Sequence, residues 1–242
     1  MLTHLGTKLH EQLAAKEGLW LLDGVKATED LFTRLGITGV ANDWLLKMPW
    51  KRSLAWLMYG DLLGNRAAPR NILEIGGSLS YITLELARRH RYRLLEKANH
   101  ETADDYRRIE QHLHLDVVQI GDWFDYDVSL QPLDLLIAND LFPNTDQRLY
   151  ELIDRFLPLI NELRLSLTYY EDTFFEVTRD TSGERLTIRP WGLREVRHFL
   201  DYIVETYPGV CSSLNPDEVK YEDLSGSVFG NRRNVIYLRL VK

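Results

Sequence analysis

Ile72-Leu-Glu-Ile-Gly-Gly-Ser-Leu-Ser-Tyr81 reads as a strand running into a turn of small residues and then into a helix. The short run Asn71–Ile75 predicts a buried strand, Gly76-Gly77 a turn, and Tyr81–Arg89 a helix with Ile82, Leu84 and Ala87 among polar positions. Small residues in such a turn let a ligand approach the backbone, and the helix start offers N–H groups without intrahelical partners. One acid, Glu74, stands just before the turn.

Downstream the same unit recurs. Tyr92–Leu95 predicts a second strand ending at Glu96, Glu101–Leu113 a charged surface helix, and Val117–Ile120 a third strand ending in Gly121-Asp122. Leu133–Ala138 predicts a fourth strand, Gln147–Ile160 a helix with Leu149, Leu152, Ile153 and Phe156 inward, and Leu163–Tyr169 a fifth strand. Mostly apolar strands alternating with helices indicate a parallel sheet covered on both faces. The fold class expected is therefore α/β, a doubly wound Rossmann-like sheet. Phe174–Val177 and Leu186–Ile188 flank Asp180-Thr-Ser-Gly183 and predict a hairpin insertion near 174–188. A helix over Leu193–Val204 follows, and Asn234–Val241, after a turn at Gly230-Asn231, predicts a final strand running antiparallel.

Upstream, residues 1–69 read as a helical cap without strand-like runs, and residues 70–242 as the α/β domain. His10–Leu22 and Thr28–Leu35 are short amphipathic segments, the second with Thr28 as N-cap, and Gly36 and Gly39 mark a break. Pro49 suits the first turn of a stronger helix placing Trp50, Leu54, Leu57, Met58 and Leu62 on one face. Gly64-Asn65 ends it, and Ala67-Ala-Pro69 reads as a linker.

The chain has 242 residues, 45% hydrophobic and 27% charged, enough for a core without disulfide or metal staples. Its net charge of −7 argues against a general nucleic-acid surface, and the acidity lies beyond residue 69, since the first 69 residues hold 8 basic and 7 acidic side chains. The single Cys211, read as a small buried residue, excludes a disulfide framework or multi-thiolate zinc site within one chain. The opening Met1-Leu-Thr-His-Leu-Gly-Thr-Lys8 lacks a leader pattern, and no membrane-length apolar run occurs. A cytoplasmic protein without a membrane partner is expected; oligomerisation is not readable from these patterns.

Acids end three successive strands. Glu96 lies 22 residues beyond Glu74, where α/β nucleotide folds place a carboxylate for ribose hydroxyls. Asp122-Trp123 supplies a carboxylate and an aromatic for an adenine edge and face. With these residues the chain resembles the class I S-adenosylmethionine-dependent methyltransferases, whose first strand ends in an acid and a Gly-x-Gly-x-Gly turn, matched here by Glu74, Gly76, Ser78 and Ser80. The resemblance covers roughly residues 70–242 and implies seven strands, the last reversed. It implies S-adenosylmethionine as cofactor, with Gly76 and Gly77 packed against its methionine part, Glu96 on the ribose, Asp122 and Trp123 on the adenine, and Glu74 and Ser78 also among the cofactor-binding residues. The second and third glycines are serines here, which narrows the turn. Gly76-x-Ser78-x-x-Tyr81 also lacks the dinucleotide-binding glycines, which argues against a nicotinamide dehydrogenase.

Ala138-Asn-Asp-Leu-Phe-Pro-Asn144 ends the fourth strand, where open α/β sheets hold ligands. Methyl transfer needs a positioned nucleophile and removal of its proton, so Asp140 is the candidate general base and Asn139 its catalytic neighbour. The competing reading is that Asp140, or Asn144-Thr145, caps the helix that follows. The stretch is not the Asn-Pro-Pro-Tyr form that methylates exocyclic amines, so nucleic acid is not expected as partner. Tyr169-Tyr-Glu-Asp172 points toward the same crevice, with the hairpin as a lid and the Pro49–Leu63 helix covering the other side. The histidines lack metal-ligand spacing and no metal is expected; His100 is an alternative base. These features imply a methyltransferase of a small molecule, favouring O-methylation of a sugar or secondary metabolite. The alternative is a catalytically degenerate binding or assembly module, motivated by Ser78 and Ser80.

Overall fold

The computed structural model describes residues 1–64, 67–98, 100–128, 132–171, 175–178, 185–188, 190–210, 214–221 and 233–242. The side chains at 175, 177–178 and 186–188 lie outside this description, as do Cys211, Asp172, Phe174, Asn65 and the turns at 180–183 and 230–231. The chain opens with strand β1 (Leu2–His4) and helices α1 (Thr7–Ala15), α2 (Glu17–Leu35), α3 (Val40–Lys47) and α4 (Pro49–Tyr59). Then follow β2 (Asn71–Ile75), α5 (Tyr81–Arg89), β3 (Arg91–Glu96), α6 (Ala103–Leu113), β4 (Val118–Ile120) and β5 (Leu133–Ala138). The remainder is α7 (Leu149–Phe156), β6 (Ile160–Tyr169), β7 (Phe175–Thr178), β8 (Arg185–Ile188), α8 (Leu193–Thr206) and β9 (Asn234–Val241).

Among the described residues one seven-stranded sheet runs in the order β1-β9-β6-β5-β2-β3-β4. The strands from β6 through β4 are parallel, and β9 lies antiparallel between β6 and β1. This is the expected mostly parallel α/β sheet with a reversed last strand. One strand was not legible: Leu2–His4, inside the expected helical cap, supplies the seventh. Three residues are too short to carry an alternating pattern. The hairpin is present as β7 paired with β8.

The pleat sends alternate residues to opposite faces. Ile72, Leu94, Leu135 and Ile137 share one core with Leu21, Val25, Leu54 and Met58, so cap and sheet bury a single hydrophobic face together. Leu73, Leu95, Leu136 and Leu165 face the other way, against Leu152 and Phe156 of α7 and Phe199 and Leu200 of α8. Burying a side chain of this size contributes about 1.5–3 kcal/mol, so the cap is a structural half of the sheet's covering. Its hold is also ionic. Buried Arg164 on β6 donates to both carboxylate oxygens of Asp61, at 2.6 and 2.7 Å, just beyond α4.

Two local expectations are corrected. Thr28 is no N-cap: it sits 5% exposed inside α2, which runs unbroken through Gly24 to Gly36. On α4, Arg52 and Ser53 are buried with Leu54 and Met58, because Arg52 donates to the Leu45 and Leu46 carbonyls of α3.

Candidate functional site

Strand order reverses between β2 and β5, and ligands of open α/β sheets sit beyond the carboxyl ends of the strands at such a point. Register fixes what lies there. Ile75 pairs with Leu95 on β3 and Ala138 on β5, and Ala138 with Leu165 on β6. One residue further on each strand stand Gly76, Glu96, Asn139 and Ser166. The sheet therefore brings Gly76, Glu96 and Asn139 into one row.

Gly76 adopts φ +67°, the left-handed region, and its N–H donates to the Leu95 carbonyl at 3.0 Å. A Cβ there would meet Leu141 Cδ1 at 2.9 Å, which that side chain can relieve by moving, so it is the left-handed backbone that favours glycine. Ser78 and Ser80 are outside the positive-φ set, and both have structural work. The Ser78 hydroxyl donates to Glu101 Oε1 at 2.5 Å, and Ser80 caps α5 by accepting from the Thr83 N–H.

The helix start is closed from the cap side. Asn42 of α3 accepts from the Tyr81 N–H at 3.1 Å and donates to the Val25 carbonyl and Glu29. Buried Glu101 receives the Val40 N–H at 3.2 Å and the Tyr106 hydroxyl at 3.0 Å besides Ser78. Burial pushes the Glu101 carboxyl up, against those hydrogen bonds.

Glu74 points beneath the turn. Its two carboxylate oxygens receive the hydroxyls of Tyr59 on α4 and Tyr92 on β3, each at 2.7 Å. Burial raises the Glu74 carboxyl and both tyrosines, the latter well above their ordinary value. Glu96 is buried at the end of β3. At the end of β4, Asp122 caps the following turn through the Phe124 N–H and pairs with Lys97 at 2.7 Å and Arg148 at 3.0 Å. Partial burial opposes ionisation, yet the Lys97, Phe124 and Arg148 donors hold its carboxyl down to about 2. Trp123 is 2% exposed: its Nε1 donates to Asp146 at 2.8 Å, and the Arg148 guanidinium covers its ring at 4.7 Å.

At the end of β5, Ser166 donates to Asn139 at 2.8 Å and accepts from the Asp140 N–H at 2.7 Å. Asp140 is left-handed, φ +54°, which aspartate tolerates better than most residues. Its carboxylate lies 2.6 Å from Lys51 Nζ and 3.2 Å from Arg233. Burial alone would raise the Asp140 carboxyl, but these two charges hold it below the usual range. Neither Asp140 nor Asn144 caps α7, whose N-cap is Arg148; Asn144 donates instead to Thr168. Buried Tyr170 lies beside Arg233, and His100 meets Trp44 edge-on at 5.3 Å.

Sequence reasoning missed Lys51, Arg233, Tyr59, Asn42 and Glu101. The Trp44, Trp50 and Lys51 grouping was one available signal: Lys51 Nζ lies 5.0 and 4.8 Å from the two ring centres. The others carry no local pattern.

No family model matches the chain, and no curated protein matches it. Among solved structures, it is similar to the plantazolicin methyltransferase BpumL in complex with a monoazolic desmethylPZN analog and SAH. That likeness has 12% identity and a TM-score of 0.50, covering 95% of this chain and 99% of that one. It is also similar to the N-terminal domain of EvdMO1 with SAH bound, at 19% identity and TM-score 0.48, over 78% and 79% of the two chains. A third is the N-methyltransferase NodS from Bradyrhizobium japonicum WM9 in complex with SAH, at 13% identity and TM-score 0.45, over 88% and 97%. The likeness to BpumL extends over nearly the whole chain and shows the methyltransferase Rossmann-like fold.

Proposed function

We propose that this chain is an S-adenosylmethionine-dependent methyltransferase of a small molecule, transferring to oxygen, with a sugar or secondary metabolite as acceptor. The observation that carries the reading is the row at the switch point: left-handed Gly76 with Glu96 on one neighbouring strand and Asn139 on the other.

The chemistry of the turn argues for a cationic ligand. A phosphate would need donors at the start of α5, but the Tyr81 N–H is held by Asn42, the Ser78 hydroxyl by Glu101 and the Gly76 N–H by Leu95. With these three donors taken, the turn offers little to a phosphate, whereas Glu96 at the end of β3 supplies a carboxyl for ligand hydroxyls. When bound, S-adenosylmethionine supplies a methyl group made electrophilic by its positively charged sulfur. Glu96 would hold the ribose hydroxyls, Asp122 the adenine edge, and Gly76-Gly77-Ser78 the methionine part, with Glu74 bracing the turn from below. Trp123, expected on the adenine face, is buried and instead would position Asp122 through Asp146 and Arg148.

Asn139 and Asp140 remain the proposed catalytic pair. Asp140 can take a proton from an acceptor hydroxyl only when Lys51 or Arg233 is drawn off its carboxylate, because the two cations make it a weak base. That constraint is also the one observation favouring a degenerate binding module of the same fold.

Titration calorimetry with S-adenosylhomocysteine tests the reading. Binding by the wild type, weakened at least tenfold in Glu96→Ala, is the expected result. No heat of binding, or a Glu96→Ala variant indistinguishable from wild type, overturns it.

A further inference from the structure

We propose that Lys51 and Arg233 form a clamp for an anionic oxygen group on the acceptor, of carboxylate or phosphate class, and that Asp140 is its internal stand-in. The inference rests on the methyltransferase reading and names the acceptor class of that site.

Charge is the first argument. Lys51 Nζ lies 2.6 Å from Asp140 Oδ2, and Arg233 Nη1 lies 3.2 Å from Oδ2 and 3.4 Å from Oδ1. Two cations converge on one carboxylate in a chain whose net charge is −7. Paired cations hold an anion far better in a partly desolvated site than in open water.

Access is the second. The Lys51, Asp140 and Arg233 side chains are 16, 18 and 19% exposed, enough for a ligand to reach and little enough to limit screening by solvent.

Shape is the third. Trp44 and Trp50 flank Lys51, and Trp50 and Tyr170 lie 5.6 and 6.0 Å from the Arg233 guanidinium. Aromatic faces fix both cations before any ligand arrives, which lowers the ordering cost of binding. The clamp comes from the cap and from the residue just ahead of β9, and it closes over the end of β5 at the switch point.

The test is calorimetric titration with sodium benzoate and inorganic phosphate, with benzyl alcohol as neutral control. Wild type, Asp140→Asn, Lys51→Gln and Arg233→Gln are compared after circular dichroism confirms a native fold; asparagine accepts the left-handed backbone at 140. Removing the competing carboxylate in Asp140→Asn should tighten one anion by about tenfold, and loss of either cation should weaken it by about tenfold, the scale of one charge-assisted hydrogen bond. Benzyl alcohol should not bind. Tightening of benzoate assigns a carboxylate acceptor, and tightening of phosphate assigns a phosphate-class one. If folded Asp140→Asn binds neither anion, or if Lys51→Gln and Arg233→Gln bind as wild type does, the clamp is wrong and the triad is only a tie between cap and sheet. Titrating the same samples with S-adenosylhomocysteine separates the two failures: cofactor binding without anion binding sinks the clamp alone.

Discussion

The ring of Tyr81, at the start of α5, lies across Gly24 in the middle of α2, so closely that a Cβ on the glycine would stand 2.4 Å from two ring carbons. This contact explains a helix that runs through a glycine, and it docks the cap against the turn that begins the proposed cofactor site. Gly24→Ala should gain about 1 kcal/mol of helix propensity but incur about 1–3 kcal/mol of overpacking. The expected net result in urea denaturation is a loss of up to ~2 kcal/mol. In a Tyr81→Ala background the sign should reverse, with Gly24→Ala stabilising by about 1 kcal/mol; destabilisation in both backgrounds would remove the ring as the cause.

Glu74 offers a pH-resolved test. Tyr59 and Tyr92 are the donors to its buried carboxyl, which burial already raises above the ordinary value. A carboxyl raised in the folded state favours the protonated form, so its contribution to stability falls as pH rises from the unfolded value through the folded one. Tyr59→Phe removes a donor to the ionised form and raises the carboxyl further. The variant should lose about 1–3 kcal/mol at pH 8 and measurably less at pH 5. An equal loss at both values would mean that the hydroxyl acts through packing alone.

Legibility in the sequence followed the range of the interactions. The bounds of β2, α5, β5 and β9 coincide with their predicted ones, because an apolar run or helical spacing and a flanking turn are local signals. The partners of the strand-end acids are not local. Lys51 and Arg233 are separated from Asp140 by 89 and 93 residues, and only the fold brings them together. Asn42 and Glu101 were hidden for the same reason: each looks like an ordinary polar residue until α3 is placed beside the turn. Glu74, Glu96, Asp122 and Asp140 stand out in the sequence as acids at strand ends, whereas Glu101 and the groups that pair with these carboxyls do not.

Acid should loosen the cap. Lys51 and Arg233 hold the Asp140 carboxyl below its ordinary value, against burial. A lowered folded value means stability that is present above the unfolded value, near ~3.9, and is lost as pH falls through the folded one. Lys51→Met should therefore destabilise by about 1–3 kcal/mol at pH 7, since it strips one partner from a partly buried charge. The gap between variant and wild type in urea midpoints should narrow between pH 5 and pH 3. Asp122, held to about 2, adds a similar acid loss in both proteins and leaves the difference untouched. A gap that persists at pH 3 would place the Lys51 contribution in its contacts with Trp44 and Trp50 instead.

The two serines of the turn allow a decision between a working site and a decayed one. If Ser78 and Ser80 were remnants of lost glycines, Gly at both positions would restore room and strengthen binding of S-adenosylhomocysteine. The hydrogen bonds argue the opposite. Ser78 is a donor to buried Glu101, which also receives Val40 and Tyr106, so Ser78→Gly leaves that carboxyl short of a partner at a cost of about 1–3 kcal/mol. Ser80→Gly exchanges one acceptable cap for another and should cost only a few tenths of a kcal/mol. Ser78→Gly is thus expected to lower stability and weaken S-adenosylhomocysteine binding, while Ser80→Gly leaves both nearly as they were. Calorimetry on the two single variants separates the cases, and tighter binding in Ser78→Gly would favour the degenerate module over the enzyme.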